Sequence, residues 1–387
     1  GFKMKDKMYQ RIRQIKRDDT EIENKINLVL DCANTKKWLV NLCKRMDKKD
    51  QHLNSLWSKS SLDIGTFISR EPPYQPIKFN IPLREDMKGV PPKPVKTAFL
   101  AQRLVPAAKQ MLDELESKGV IARGFSQYNA RTFFLPKAPL ELSLNDWIAK
   151  GNSSESFLAG SPNKDVQNLN LRIVHHFVEL NERTACTPLY QPSGINQLRR
   201  ISPAIKYISI VDITSAFFAL CLSEESALYT GFDVGIEQYG RFYYKRAPMG
   251  AQVSKTLQDA SLMYCLSDLS NYIIYSDNVV IVSENISDHK LHVEQILTRL
   301  RTCGMKCKLE KASFFVTQKC KLYGHILDLE HGKILAEPDK LAALRSKPVP
   351  KNITMLKSFL GALTFMGSLL PIAGRELAIL HIATRGK

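Results

Sequence analysis

Two aspartates stand inside apolar, β-prone runs: Asp212 in Ile210-Val-Asp-Ile-Thr-Ser-Ala-Phe-Phe218, and Asp277 in Tyr272-Ile-Ile-Tyr-Ser-Asp-Asn-Val-Val-Ile-Val282. Runs of this composition read as strands. Two carboxylates on adjacent strands can clamp a pair of divalent ions about 3.5–4 Å apart against substrate phosphates, the requirement of two-metal phosphoryl transfer.

The surrounding pattern supplies elements to hold them. Residues 207–213 read as a strand, 228–246 as a hairpin, about 250–269 as a helix, and the Asp277 segment as strand-turn-strand. A helix is expected at 286–303, apolar at Leu291, Val293, Ile296, Leu297 and Leu300, then short strands over 312–336 and helices after Pro338. Upstream, a helix from about Ala101 to Lys118 ends at Gly119, as a C-cap does. Strands follow at 131–137 and 171–178, with a short helix near 194–200. Helices mixed with mostly antiparallel hairpins give an α+β fold. Residues 1 to about 60 carry helical spacing and read as an accessory segment with a solvated charged face, nucleic-acid binding being the alternative. Seven prolines between Pro72 and Pro94 mark an extended connector, and 138–170, rich in Gly, Ser and Asn, reads as a surface insertion.

The 387 residues carry a formal net charge of +17, spread along the chain, and 44% of them are hydrophobic. A large polyanionic partner fits this balance, nucleic acid first. Eight cysteines lie scattered without a CxxC framework, so a reducing compartment is expected. Cys303, Cys307 and Cys320 could suggest a metal site, but they fall on an amphipathic helix and the strands after it, without a fourth ligand at zinc-finger spacing. No apolar run approaches the roughly 20 residues of a membrane span. A soluble, intracellular protein without a membrane partner is expected, cytoplasmic or within virus-like particles, with the nucleus as an alternative.

In order along residues 100–370, the chain resembles reverse transcriptases of the LTR-retrotransposon (gypsy-type) and retrovirus group. Leu112 to Tyr128 is similar to the opening fingers helix and turn. Leu171-Arg172-Ile-Val-His-His-Phe177-Val-Glu-Leu180-Asn181 is similar to the second fingers motif, whose arginine meets the incoming nucleotide. By this resemblance Arg172 and Lys137 face the triphosphate, where a guanidinium and an ammonium offset charge at the transferring group. Asp212 and Asp277, with the main-chain carbonyl of Ile213, are the implied metal ligands for two Mg²⁺ ions, Mn²⁺ being an alternative. Phe217 falls where an aromatic excludes a ribose 2′-hydroxyl. Met249 and Gly250, in Tyr243-Tyr-Lys-Arg-Ala-Pro-Met-Gly250, fall at the nucleotide pocket, with Met249 where retroviral enzymes carry glutamine. Lys311 falls where a lysine could protonate the pyrophosphate leaving group, a solvated lysine being the alternative. Tyr275, with Tyr323 and Gly324 of Leu322-Tyr-Gly324-His-Ile-Leu, is implied at the primer end. Gly361 and Phe365 are implied on a thumb helix in the template-primer minor groove, ordinary helix packing being the alternative for Gly361.

The resemblance implies a right-hand polymerase fold. Its expected parts are a basic N-terminal helical extension (1–70), a Pro-rich connector (71–100), fingers (101–206), palm (207–336, with fingers elements near 225–250) and thumb (337–387). It implies an RNA- and DNA-templated DNA polymerase that takes an RNA template, a DNA primer or RNA/DNA duplex, and dNTPs, with a homodimer or polyprotein partners as further expectations. The nuclease domain that follows in the family is not expected in this chain. Three departures stand out. The family's Tyr-x-Asp-Asp reads Tyr275-Ser-Asp277-Asn278, so Asn278 brings an amide where the second aspartate would bring charge. A tolerant natural variant, an inactive copy and an introduced change all fit. The 138–170 insertion sits where a short fingertip hairpin is usual. His176 stands where aspartate is common and is given no role. The rival reading is a catalytically impaired, nucleic-acid-binding or assembly protein that keeps the fold.

Overall fold

The computed structural model describes residues 33–49, 53–60, 63–136, 171–185, 189, 194–367 and, towards the C-terminus, 378, 381, 382 and 384. In chain order, α1 (Ala33–Lys49), β1 (Lys78–Phe79) and α2 (Val105–Ser117) lead to β2 (Ile121–Arg123), β3 (Arg131–Pro136) and β4 (Leu171–His176). Then come α3 (Val178–Arg183), α4 (Gly194–Leu198), β5 (Tyr207–Ile213), β6 (Cys221–Leu222), α5 (Glu224–Leu228), β7 (Phe232–Asp233), β8 (Arg241–Tyr244) and α6 (Gln252–Leu266). The chain continues through β9 (Tyr272–Tyr275), β10 (Asn278–Ser283), α7 (Ile286–Thr302), β11 (Cys307–Val316), β12 (Lys319–Leu322), β13 (His325–Asp328), β14 (Lys333–Ala336), α8 (Pro338–Arg345) and α9 (Ile353–Gly367).

The central sheet has the order β11-β5-β10-β9, and each neighbouring pair is antiparallel. Both faces are covered, which explains why β10 is a nearly continuous apolar run instead of an alternating one. Val211, Ile213, Val279 and Ile281 enter the main core with α6 and α7. Ile208, Val280 and Val282 enter a second core with Leu322 and Leu327 of the β12-β13-β14 hairpin sheet. Helix α7 starts at an Asn285 cap whose side chain accepts from the Asp288 N–H. A second group of strands, β2-β8-β7 and β3-β4, is joined through an Ala130–Phe232 bridge.

Three features differ from the sequence reading. Residues 33–69, expected as an accessory segment, share the main core where described: Leu39, Leu42, Trp57 and Phe67 are all buried in it. Their backbone lies along the start of β11, with Ser58 N donating to Cys307 O and Thr66 N to Gly304 O. Burial of these apolar residues outweighs the charged composition that suggested a solvated helix. The proline-rich stretch is indeed extended, but it is pinned: buried Arg183 donates to the carbonyls of Val90 and Pro91. Finally, α3 occupies part of the expected 171–178 strand and β11 begins at Cys307, earlier than the expected 312. Residues 1–32 and the insertion at 138–170 lie outside the described residues.

The three cysteines considered as a metal site fall in two different cores. Cys303 and Cys307 lie in the main core and Cys320 in the second. Among the described residues, no three His, Cys, Asp or Glu side chains converge as a metal site. No helix among them is long and apolar enough to cross a membrane.

Candidate functional site

Strand register sets the site. Asp212 is paired with Asn278 across β5-β10, Asn278 with Tyr275 across β10-β9, and Lys308 with Asp212 across β11-β5. Directly paired residues share a face of a sheet. A single row therefore crosses all four strands as Lys308, Asp212, Asn278, Tyr275. Its face is the one that buries Ile208 and Val280 beneath the hairpin sheet, yet these four residues are only partly buried.

Asp277 sits beside this row in the two-residue turn that joins β9 to β10. Its carbonyl accepts the Ile213 N–H at 2.8 Å, and its carboxylate Oδ1 accepts from the Asn278 amide at 3.3 Å. Ser276, the other turn residue, has φ 56°, the left-handed value that tight hairpins require. Gln258 of α6 fixes this turn by donating to the Ser276 carbonyl at 3.1 Å. Lys311 Nζ lies 3.8 Å from Asp212 Oδ2. Burial pushes the Asp212 carboxyl above the usual carboxylate range; Lys311 opposes the shift, Asp277's charge adds to it, and Lys308 opposes it.

The β12-β13 hairpin closes one side. Tyr323 (φ 54°) and Gly324 (φ 78°) form its turn, between the paired Leu322 and His325. Positive φ at both central positions is the type I′ geometry. The turn sets the Tyr323 ring against Tyr275, with centroids 4.1 Å apart.

The remaining candidates are placed at varying distance from this row. Phe217, half-buried, lies in a 3₁₀ turn just after β5. Met249 is 49% exposed, and Gly250 has φ 93°, with the His175 carbonyl 3.3 Å from where a Cβ would lie. Asn181 of α3 holds this stretch at two points, donating to Gly250 O at 3.3 Å and accepting from Gln252 N at 2.8 Å. Arg172 is exposed on β4 opposite Leu135. Lys137, its expected companion, lies outside the described residues. Gly361 is exposed on α9, and among the described residues nothing lies within 4 Å of an added Cβ. Phe365 falls within the same helix, its side chain outside the described residues. His176 is exposed on β4.

Gln258, Asn181 and Lys308 were not foreseen. Asn181 closes the motif quoted above but was given no role there, and for each of the three only long-range packing gives it its partner in the site. His175 was likewise unremarked. It is buried, hydrogen-bonded to Thr132 Oγ1 at 3.0 Å and Tyr244 Oη at 2.8 Å, and burial pulls it down to about 3.

Residues 151–327 match the family described as reverse transcriptase (RNA-dependent DNA polymerase). The chain is 27% identical over 259 residues to the retrovirus-related Pol polyprotein from transposon gypsy of Drosophila melanogaster, covering 66% of this chain and 22% of that protein. It is 23% identical over 274 residues to the Pol polyprotein from transposon 297 of the same organism (70% and 23% covered). It therefore spans under a quarter of the length of these relatives. Among solved structures it is similar to a foamy viral protease-reverse transcriptase in complex with dsDNA, with TM-score 0.69 and 18% identity, covering 96% of this chain and 67% of that one. The same viral protein in complex with an RNA/DNA hybrid gives TM-score 0.65 at 18% identity, with 91% and 40% covered. The fold is thus the right-hand polymerase fold, α+β in class.

Proposed function

We propose, for a chain whose residues 151–327 belong to the reverse transcriptase family of the LTR-retrotransposon and retroviral group, that it is an RNA- and DNA-templated DNA polymerase acting on a primer 3′-hydroxyl and dNTPs. The observation that carries this reading is the placement of Asp212, on β5, beside Asp277, in the turn that leads into the antiparallel neighbour β10, with Ile213 N donating to Asp277 O at 2.8 Å.

The donor set suits Mg²⁺. Two hard carboxylates, without a closed cage of further His, Cys, Asp or Glu ligands among the described residues, match an ion that keeps several waters and binds through one or two carboxylates plus substrate phosphates. Asp212, Asp277 and the Ile213 carbonyl would hold Mg²⁺ or Mn²⁺, which would supply charge neutralisation at the α-phosphate and activation of the attacking hydroxyl. The chain's own part is positioning, which provides much of the acceleration in phosphoryl transfer. Tyr275, Tyr323 and Gly324 hold the primer end. Met249, Gly250 and Phe217 shape the nucleotide pocket, with Phe217 excluding a 2′-hydroxyl. Arg172 and Lys137 meet the triphosphate, and Lys311 donates a proton to the leaving pyrophosphate. Gly361 and Phe365 meet the duplex.

One observation favours the rival reading of an impaired, nucleic-acid-binding descendant. Asn278 directs its amide N–H at the Asp277 carboxylate, satisfying that oxygen where a second aspartate would have added charge. Primer extension on an RNA template with dNTPs and Mg²⁺ or Mn²⁺ separates the two readings. The chain as given is expected to extend primers, Asn278→Asp to extend them faster, and Asp277→Ala to bind duplex without extending it. Duplex binding with extension by none of the three would replace catalysis with the binding reading.

A further inference from the structure

Lys311 reaches Asp212 by leaving the strand ladder. Between the pairs Lys308–Asp212 and Ser313–Ile210, β11 advances five residues while β5 moves two. The intervening stretch, Leu309 to Ala312, bulges away from regular pairing, and such irregularities re-aim side chains. Lys311 lies at its middle and returns its amine to 3.8 Å from Asp212 Oδ2. The partners are unequal, since the Asp212 side chain is 15% exposed and that of Lys311 is 61% exposed. The carboxylate is held by the sheet, whereas the amine rides on a flexible stem with open solvent to move into.

The charge count sharpens the point. Asp212 and Asp277 bring two negative charges. Lys308, directly opposite Asp212, and Lys311 bring two positive ones, and Asn278 brings none. A divalent cation approaching the row meets formal neutrality.

We propose that Lys311 is a built-in competitor for the divalent cation: it acts as counter-ion to Asp212 in the cation-free chain and is displaced when the cation binds. This rests on the reading of Asp212 as a cation ligand. Cation entry then frees the amine beside the position where substrate phosphates would lie, so binding of the ion and release of the lysine are one event. Because the lysine is largely solvated, the competition is modest. Exposed pairs contribute up to about 1 kcal/mol, equivalent to roughly fivefold in affinity.

The test is direct Mn²⁺ binding to the full chain without nucleic acid or dNTP, read from the loss of the free-ion electron paramagnetic resonance signal. Lys311→Gln is expected to bind Mn²⁺ about three- to fivefold more tightly than the parent chain. Lys311→Arg, which keeps the charge, is expected to show no such gain. Asp212→Asn is the control and is expected to lose the binding. If it does so while Lys311→Gln binds no more tightly than the parent, the competitor role is overturned and the cation site stands. If Asp212→Asn binds Mn²⁺ as the parent does, or no variant binds at all, the cation reading falls and the competitor role with it.

Discussion

The Tyr275 and Tyr323 rings meet with centroids 4.1 Å apart and planes at 41°, and each ring adjoins or occupies a tight turn of a different sheet. Tyr275 precedes the Ser276–Asp277 turn, while Tyr323 is itself in the turn of the β12-β13 hairpin. The contact is a mechanical link between the turn that carries Asp277 and the hairpin implied at the primer end.

Tyr323 separates ring from hydroxyl. Its Oη is buried without a hydrogen-bond partner among the described residues, a condition that costs about 1–3 kcal/mol. Tyr323→Phe is therefore expected to melt at or above the parent temperature with extension retained. Tyr323→Ala loses the ring contact and is expected to lower the extension rate about tenfold or more, beyond any loss explained by stability. Melting curves beside single-turnover extension rates check both variants. A Tyr323→Phe variant as slow as Tyr323→Ala would remove the ring from the account.

Asn278 faces Asp212 directly across the β5-β10 ladder. A carboxylate placed there adds one negative charge to the row. Asn278→Asp is expected to lower the Mg²⁺ concentration for half-maximal extension by about tenfold, equivalent to about 1.4 kcal/mol. A Mg²⁺ titration of extension rate at fixed primer-template and dNTP reads this. An unchanged midpoint would mean that the amide is not limiting cation binding.

Gly361 predicts opposite signs for stability and binding. It lies exposed in α9, with nothing among the described residues within 4 Å of an added Cβ, and alanine is favoured over glycine in a helix by about 1 kcal/mol. Gly361→Ala is expected to be neutral or stabilising. Gly361→Leu is expected to keep the fold and weaken duplex binding several-fold, if a nucleic-acid backbone approaches this face. Fluorescence anisotropy on a labelled duplex, paired with urea midpoints, decides the point; unchanged affinity in Gly361→Leu would move the duplex elsewhere.

His175 ties stability to pH. Burial pulls it down to about 3, and it is hydrogen-bonded between Thr132 and Tyr244. With an unfolded value near 6.5, the unfolded chain binds more protons between those limits. Its contribution is thus complete above about pH 6.5 and lost as pH falls towards 3, by at most about 1.4 kcal/mol per pH unit. His289, pulled down to about 4 by burial, adds to the same slope. His175→Gln is expected to be less stable at neutral pH but to lose less stability on acidification, which urea midpoints from about pH 7 to about pH 5 would register. An unaltered slope would mean that His175 contributes nothing to the acid sensitivity.

Local pattern carried much of this protein. The Asp212 strand emerges as read, Tyr207–Ile213, and the Asp277 segment is two strands around a tight turn, because apolar alternation and turn residues act over a few neighbours. The colinear motifs named the family, and the match over 151–327 agrees. What tertiary structure decided lies in register and coverage. That Lys308, Asp212, Asn278 and Tyr275 form one row follows from how four strands align, and register is fixed by which faces two separate cores bury. The bulge that returns Lys311 to Asp212 is a departure from ladder geometry that no periodicity announces. The charged N-terminal region looked solvated because composition cannot tell where Leu39, Leu42 and Trp57 will be buried. Gln258 and Asn181 became supports of the Ser276 turn and of the Gly250–Gln252 stretch only once α6 and α3 were packed, since a hydrogen bond between residues distant in the chain exists only in the folded arrangement.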